Sequence, residues 1–379
     1  MGWLKTFLKG MATDKSSAYE KKESIPIEVK PVITFKDDPP PLENLLKDAV
    51  PSQQGLYPHE ILMLHYAPRY KTSGNNFQSF WYWDYSVADP QSILNSLAEK
   101  GFLSVGGIEL TLEDLKLPQI KEELKSIGQK VTGKKTDLID RLIQNGDLDK
   151  LSQKYPDRHY ILTAKGEQEL KENKYVPYLH NHGYMSIWEM NRKLADSKLS
   201  FRDILWGDFN RRSVIHFQNY DFGLYRNIRL SMYHFLMEEN RTETAFRMLC
   251  EVLLYDLNAL DSTSRSFFDC ETKDPKSFFQ EYYPIILERF FPYRENDLNI
   301  PPAVLNWLAK MQSSLNLSDE EYRKALLDEF QEISLIRRIF TNEECADIVI
   351  ARIHQDHDAL KKIYKNAESR ERAKIAAYQ

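Results

Sequence analysis

LKLPQIKEELKSIGQKVTGKKTDLIDRLIQN, residues 115–145, reads as two short helices joined by a glycine-containing turn. Leu115, Leu117, Ile120, Leu124 and Ile127 recur at the spacing of one helical face, and Gly128 ends the run. Leu138, Ile139, Leu142 and Ile143 line one face of the second helix. Between them runs Val131-Thr132-Gly133-Lys134-Lys135-Thr136, in which Thr132 and Thr136 are the candidate N-caps. Lys134 and Lys135 fall at the helix start, where cations oppose the macrodipole. A helix start also presents free backbone N–H groups, which suit an anion. Lysines beside such donors make sense if the anion is a nucleic-acid backbone.

The order L-x-x-x-L…G-x-x-x-x-G-K-K-x-x-L-I-x-R-L is carried in register by Leu115, Leu117, Leu124, Gly128, Gly133, Lys134, Lys135, Leu138, Ile139, Arg141 and Leu142. In this it resembles the SAP motif, a helix–extended loop–helix module. One departure is Gln129-Lys130-Val131, where an apolar residue usually follows the glycine directly; Val131 is the candidate to take that place. The resemblance covers under a tenth of the chain. It implies DNA binding, more through the backbone than through base edges, and no catalysis. The residues it assigns to nucleic acid are Lys130, Thr132, Gly133, Lys134, Lys135 and Arg141. A helical hairpin used for protein contact is the plainer reading of the same residues.

Charge sets the expected strength. Residues 111–146 carry seven cations against six anions, so binding should be modest and sensitive to salt. The whole chain of 379 residues has a formal net charge of −5, which excludes a general polyanion binder and makes any nucleic-acid surface local. Cys250, Cys270 and Cys345 are odd in number and widely spaced, which argues for a reducing, cytoplasmic setting and against a disulfide framework. No stretch is long enough to span a bilayer. The start, MGWLKTFLKGM, places Trp3, Leu4, Phe7, Leu8 and Met11 on one helical face. Docking on the protein's own surface is the expectation there; membrane-surface contact at Trp3, Leu4 and Phe7 is the alternative.

Working outward on the N-terminal side, residues 1–54 read as this amphipathic segment followed by a polar, proline-rich flexible arm. Pro58 opens an apolar helix, and Phe80-Trp81-Tyr82-Trp83-Asp84-Tyr85 forms an aromatic cluster. Asp89 caps and Pro90 starts a helix faced by Ile93, Leu94 and Leu97, which Gly101 stops before a strand-like Phe102-Leu103-Ser104-Val105. Tyr160-Ile161-Leu162-Thr163-Ala164-Lys165-Gly166 then reads as a strand opening into a helix. Together these resemble the third helix and wing of a winged helix, with the SAP-like hairpin inserted in the wing. The helix in the recognition position exposes Gln91, Asn95, Ser96, Glu99 and Lys100, which is no base-reading face.

On the C-terminal side, residues 176–218 read as an irregular connector, and 219–379 as a helical domain with helices at 222–239, 242–260, 275–291, 301–314, 319–340 and 342–375. Thr242 and Ser318 are the candidate N-caps, Ser318 with Glu321 as a capping box. His180 with His182, Asp203 with Asp208, and Asp347, His354 and Asp358 are the only metal-like groupings, and each reads better as polar surface or caps than as a metal set. The basic tail, Lys361 to Lys365 and Arg370 to Lys374, either touches phosphate or is solvated. No nucleophile elbow or complete phosphate loop is present, so no catalytic residue and no cofactor is assigned.

The expected fold is mainly α. A winged-helix-like unit (55–110 and 147–175) holds the SAP-like module (111–146) in its wing, and the connector (176–218) leads to the all-α C-terminal domain (219–379). The expected function is DNA association, with protein contact through the C-terminal helices. The alternatives are a scaffold that binds no DNA and, behind it, a metal-dependent hydrolase built on His354. The style resembles SAP-containing proteins of Gram-positive bacteria and their phages.

Overall fold

The computed structural model describes residues 38–261, 265–291 and 300–378, so the expectation for Trp3, Leu4 and Phe7 lies outside the described residues. The first helix, α1 (Leu42–Leu46), sets Leu42, Leu45 and Leu46 against the main core. Val50 then exchanges hydrogen bonds of 2.8 and 2.9 Å with the Asn191 side chain. The expected flexible arm is therefore laid down on the body from residue 42, because its leucines have an apolar surface to cover.

Next come α2 (Pro58–Tyr66), α3 (Phe80–Trp83) and α4 (Pro90–Glu99), and then strand β1 (Leu103–Val105). Asp89 caps α4, accepting from the N–H groups of Gln91 and Ser92. Four helices follow: α5 (Ile108–Asp114), α6 (Leu117–Ser126), α7 (Lys135–Asn145) and α8 (Leu148–Lys154). The chain returns as β2 (Tyr160–Leu162), antiparallel to β1 with Leu103 opposite Leu162 and Val105 opposite Tyr160. Lys71 adds a single bridge to His159 on the other side of β2. Thr163 caps α9 (Ala164–Glu172). A Cβ on Gly166 would sit 2.3 Å from the Phe102 carbonyl, so only glycine lets α9 start this close to the strand.

The four inserted helices bury a core of their own. Ile108, Leu112, Leu115, Ile120, Leu124, Leu138, Ile139, Leu142 and Leu151 form it, with Val131, Leu148 and Tyr155 packed against it. The insert is thus larger than the expected hairpin. α8 falls within 147–175, the part expected to return to the winged-helix-like unit, yet it packs with the hairpin because its apolar residues face that core.

The stretch 176–218 is not an irregular connector. It forms α10 (Tyr175–His182), α11 (Ile187–Ala195) and α12 (Phe201–Gln218). Ser186 caps α11, and Ser200 with Asp203 makes a capping box for α12. The apolar residues of α12 are spread around the helix, so no single-face period shows in its sequence. Beyond it lie α13 (Phe222–Glu238) and α14 (Thr242–Leu257), the latter buried on nearly all sides. Thr242 is the first helical residue rather than a cap; Arg241 holds the N-cap position without a side-chain bond.

α15 (Arg265–Lys273) lies outside the helices expected from the sequence. α16 (Pro275–Ser277) runs through a π-helical turn, Phe278–Tyr282, into α17 (Tyr283–Phe290). α18 (Pro302–Leu315) and α19 (Asp319–Gln331) follow, and Ser318 and Glu321 form the expected capping box. The expected helix to residue 340 stops early because residues 333–340 are claimed by tertiary bonds. Asn258 Oδ1 accepts from the Ile339 N–H at 2.6 Å, and Arg337 donates to the Ala259 carbonyl at 2.7 Å. The expected helix 342–375 is two: α20 (Asn342–Ile353) and α21 (His357–Ala376). Gln355 breaks it at φ +57, and Asp356 caps the second helix. One continuous core runs from Leu56 to Ile375 and includes residues of both the N-terminal and the C-terminal helices.

Candidate nucleic-acid interface

Gly128 closes α6 in the left-handed conformation, φ +69, with the Gln129 N–H bonded to the Leu124 carbonyl at 2.8 Å. The extended loop then drops Val131 onto the module core, so the two residues before it are absorbed as a bulge in the loop. Gly133 sits at φ +139, a conformation that L side chains rarely adopt, and so fixes the turn into α7. Lys134 occupies the N-cap. The Asp137 carboxylate reaches back to its N–H at 3.1 Å, and neither Thr132 nor Thr136 caps the helix. The turn at Gly133 starts the helix between the two threonines, which leaves one too early and the other too late.

The six assigned residues divide into two sets. Lys130, Thr132, Gly133 and Lys134 are exposed on the loop. Among the described residues, Lys130 and Lys134 make no ion pair, whereas Lys154 in the same module is paired with Glu123. Lys135 and Arg141 are turned to backbone carbonyls instead. The Lys135 ammonium donates to the Glu113 carbonyl at 2.6 Å, and Arg141 Nη1 donates to the carbonyls of Lys130 at 2.5 Å and Thr132 at 3.3 Å.

Two carboxylates brace the module. Asp114 accepts from Lys71 and from His159 Nε2, both at 2.6 Å, and so ties α5 to the strands. Burial pushes its carboxyl up, but the Lys71 and His159 donors outweigh this and hold it below the usual range. Glu123 behaves alike: burial is outweighed by Lys154 and by the Tyr155 hydroxyl, which donates at 2.7 Å. The Asp114 brace has no local signature, because Lys71 and His159 lie far from it in sequence.

The other candidates are spent internally. On α4, Gln91 bonds Asn75, Asn95 and the Tyr160 hydroxyl, and Lys100 pairs with Glu60 at 3.0 Å. His180 sits between the hydroxyls of Tyr66 and Tyr85, at 2.8 and 2.6 Å. His182 bonds the Tyr178 carbonyl and Glu238. Asp203 accepts from Ser200, and Asp208 pairs with Arg211. His354 meets Asp319 at 2.7 Å and Asp347 meets Arg323 at 2.6 Å, so the acidic and histidine residues of α20 and α21 do not converge. Among the described residues no group of three or more such side chains is arranged to hold a metal ion. The end of the basic tail is engaged too: Arg370 with Glu344, Arg372 with Glu368 and Lys374 with Glu371.

Fold and loop together define a mainly helical protein that carries a helix–extended loop–helix module between two paired strands. Residues 111–145 match the family model of the SAP domain, a nucleic-acid-binding module in general. No curated protein and no solved structure matches the chain. No helix among the described residues is long and apolar enough to cross a membrane.

Proposed function

We propose that this is a non-catalytic, DNA-associated protein whose SAP domain contacts the nucleic-acid backbone. The observation that carries the reading is the exposed pair Lys130 and Lys134, without ion pairs among the described residues, at the start of a helix whose N-cap residue makes no side-chain cap bond, inside a segment that matches the SAP domain. In this reading Thr132 and the Gly133 backbone complete the contact. Lys135 and Arg141 support it from behind, since each already directs a donor nitrogen to backbone carbonyls, Lys135 Nζ to Glu113 and Arg141 Nη1 to Lys130 and Thr132.

The surrounding unit, α2 to β2 with the Lys71 bridge, is read as a winged-helix-like scaffold. The bonds that tie α4 to β2 favour a structural over a base-reading role for it. The C-terminal helices are read as the protein-contact part. Val214, Phe217 and Leu224 are exposed near the turn between α12 and α13, which supports that assignment. Three free thiols suit a reducing, cytoplasmic setting.

The test is fluorescence anisotropy of a labelled DNA duplex against the full chain over a salt series, beside Lys130→Glu/Lys134→Glu. Salt-sensitive binding by the wild type, weakened at least tenfold by the double variant, is expected. Absence of wild-type binding at low salt overturns the reading and favours the scaffold alternative.

A further inference from the structure

We infer that Arg141 is a positioning residue, which holds the loop 130–134 in its binding shape and does not itself touch phosphate. The inference rests on the nucleic-acid reading above and changes the role of one residue within it. A guanidinium has donors only, and Arg141 spends Nη1 on the carbonyls of Lys130 and Thr132. Those two carbonyls flank Val131, whose side chain packs on the module core. The loop is therefore pinned twice, by an apolar anchor below and by a charged clasp on its backbone.

Helix geometry explains the reach. Arg141 lies seven residues beyond Lys134, about two helical turns, so both fall on the same side of α7. The stretch between Gly128 and Lys134 has no regular secondary structure to order it, and Gly133 carries no side chain that could. Without the clasp, Lys130 and Lys134 have to be gathered at the moment of binding, and that ordering lowers affinity. A lysine keeps the charge but replaces the clasp poorly, because its ammonium rotates on a flexible stem and is not held by a rigid guanidinium plane that aims Nη1 at the two carbonyls.

Positioning and direct contact differ in salt dependence. Each phosphate neutralised on a duplex adds about 0.9 to the slope of log K against log salt. Removing a contact residue lowers the slope; removing a positioning residue weakens binding and leaves the slope alone. The experiment is the same anisotropy salt series on full-length wild type, Arg141→Ala, Arg141→Lys and Lys134→Ala, with amide hydrogen exchange on each chain. The expected result is a roughly tenfold loss in both Arg141 variants with an unchanged slope. Lys134→Ala lowers the slope by about 0.9. Amide protection at Gln129–Thr132 falls in Arg141→Ala, while Leu138–Leu142 stay protected, which shows that the module is still folded.

A slope lowered by about 0.9 in Arg141→Ala with loop protection intact overturns the inference in favour of direct contact. Wild-type affinity in Arg141→Lys overturns it in favour of charge alone. Absence of binding by the wild type overturns the nucleic-acid reading and the positioning role together. Binding that survives with both Arg141 results reversed overturns only the latter.

Discussion

The inserted module and the helical body are both built of amphipathic helices, yet they use their cations in opposite ways. In the body, arginines join separate elements to one another: Arg226 meets Asp256 at 2.6 Å, Arg337 meets Glu271 at 3.0 Å, Arg229 pairs with Glu251, and Arg370 pairs with Glu344. In the module, Lys130 and Lys134 point outward, and Arg141 braces the loop that carries them. A balanced charge count over 111–146 therefore understates what the surface offers. What matters is which cations already have partners, since only the rest are available to phosphate. The cores differ as well. The module's is assembled from residues 108–151, whereas the body's runs from Leu56 to Ile375.

The largest expected effect tests that separation of cores. Leu124 is fully buried in the module, so Leu124→Ala should remove about 2–5 kcal/mol there. Hydrogen exchange should show protection lost across 108–155 while the body's melting transition stays in place. A body that melts with the module would mean that the two cores are one cooperative unit.

Acid should separate the regions next. Burial lowers the His59 pKa from 6.5 to about 4, against the opposing pull of Glu60. Folded His59 stays neutral while the unfolded chain takes up a proton below about 6.5, so stability falls between pH 6.5 and 4, by roughly 3 kcal/mol. Burial also lowers His65, His180, His216 and His234, with the same sign. No histidine lies in 108–155. The module's Asp114 and Glu123 are held below their ordinary values, so their contribution is present above about pH 4 and is lost only as pH falls through the folded values. Amide protection followed against pH should therefore decline first in the body. A module that loosens at pH 6 would break the distinction.

The smallest effect concerns the joint between the regions. Asp114→Asn removes the charge facing Lys71 and His159, and these groups are partly exposed, so the change should be under about 1 kcal/mol. Its readout is the spread of distances between spin labels on α7 and α13, which should widen with the melting temperature nearly constant. An unchanged distribution would assign the joint to the strands alone.

Much of the module was legible in advance. Its two hairpin helices, the glycine-ended turn and the Lys134-Lys135 step are all local features, and Ser318 with Glu321 shows that a capping box reads correctly when both partners lie within four residues. The misreadings share a cause. α12 shows no single-face period because its apolar residues spread around it, so 176–218 looked irregular although Ser200 and Asp203 marked a helix start. The early end of α19 follows from bonds to distant residues such as Asn258, and the break at Gln355 puts a non-glycine residue in the left-handed region, where no glycine announces it.

The sequence by itself determined the helical class, the SAP-like order of residues and the placing of lysines around a helix start, because periodicity, glycine and charge act over a few residues. Only the tertiary structure decided that α8 joins the module, that Asp114 ties it to the strands, and which cations are committed and which are left exposed. Long charged side chains reach partners far away in sequence, and burial alone selects among them.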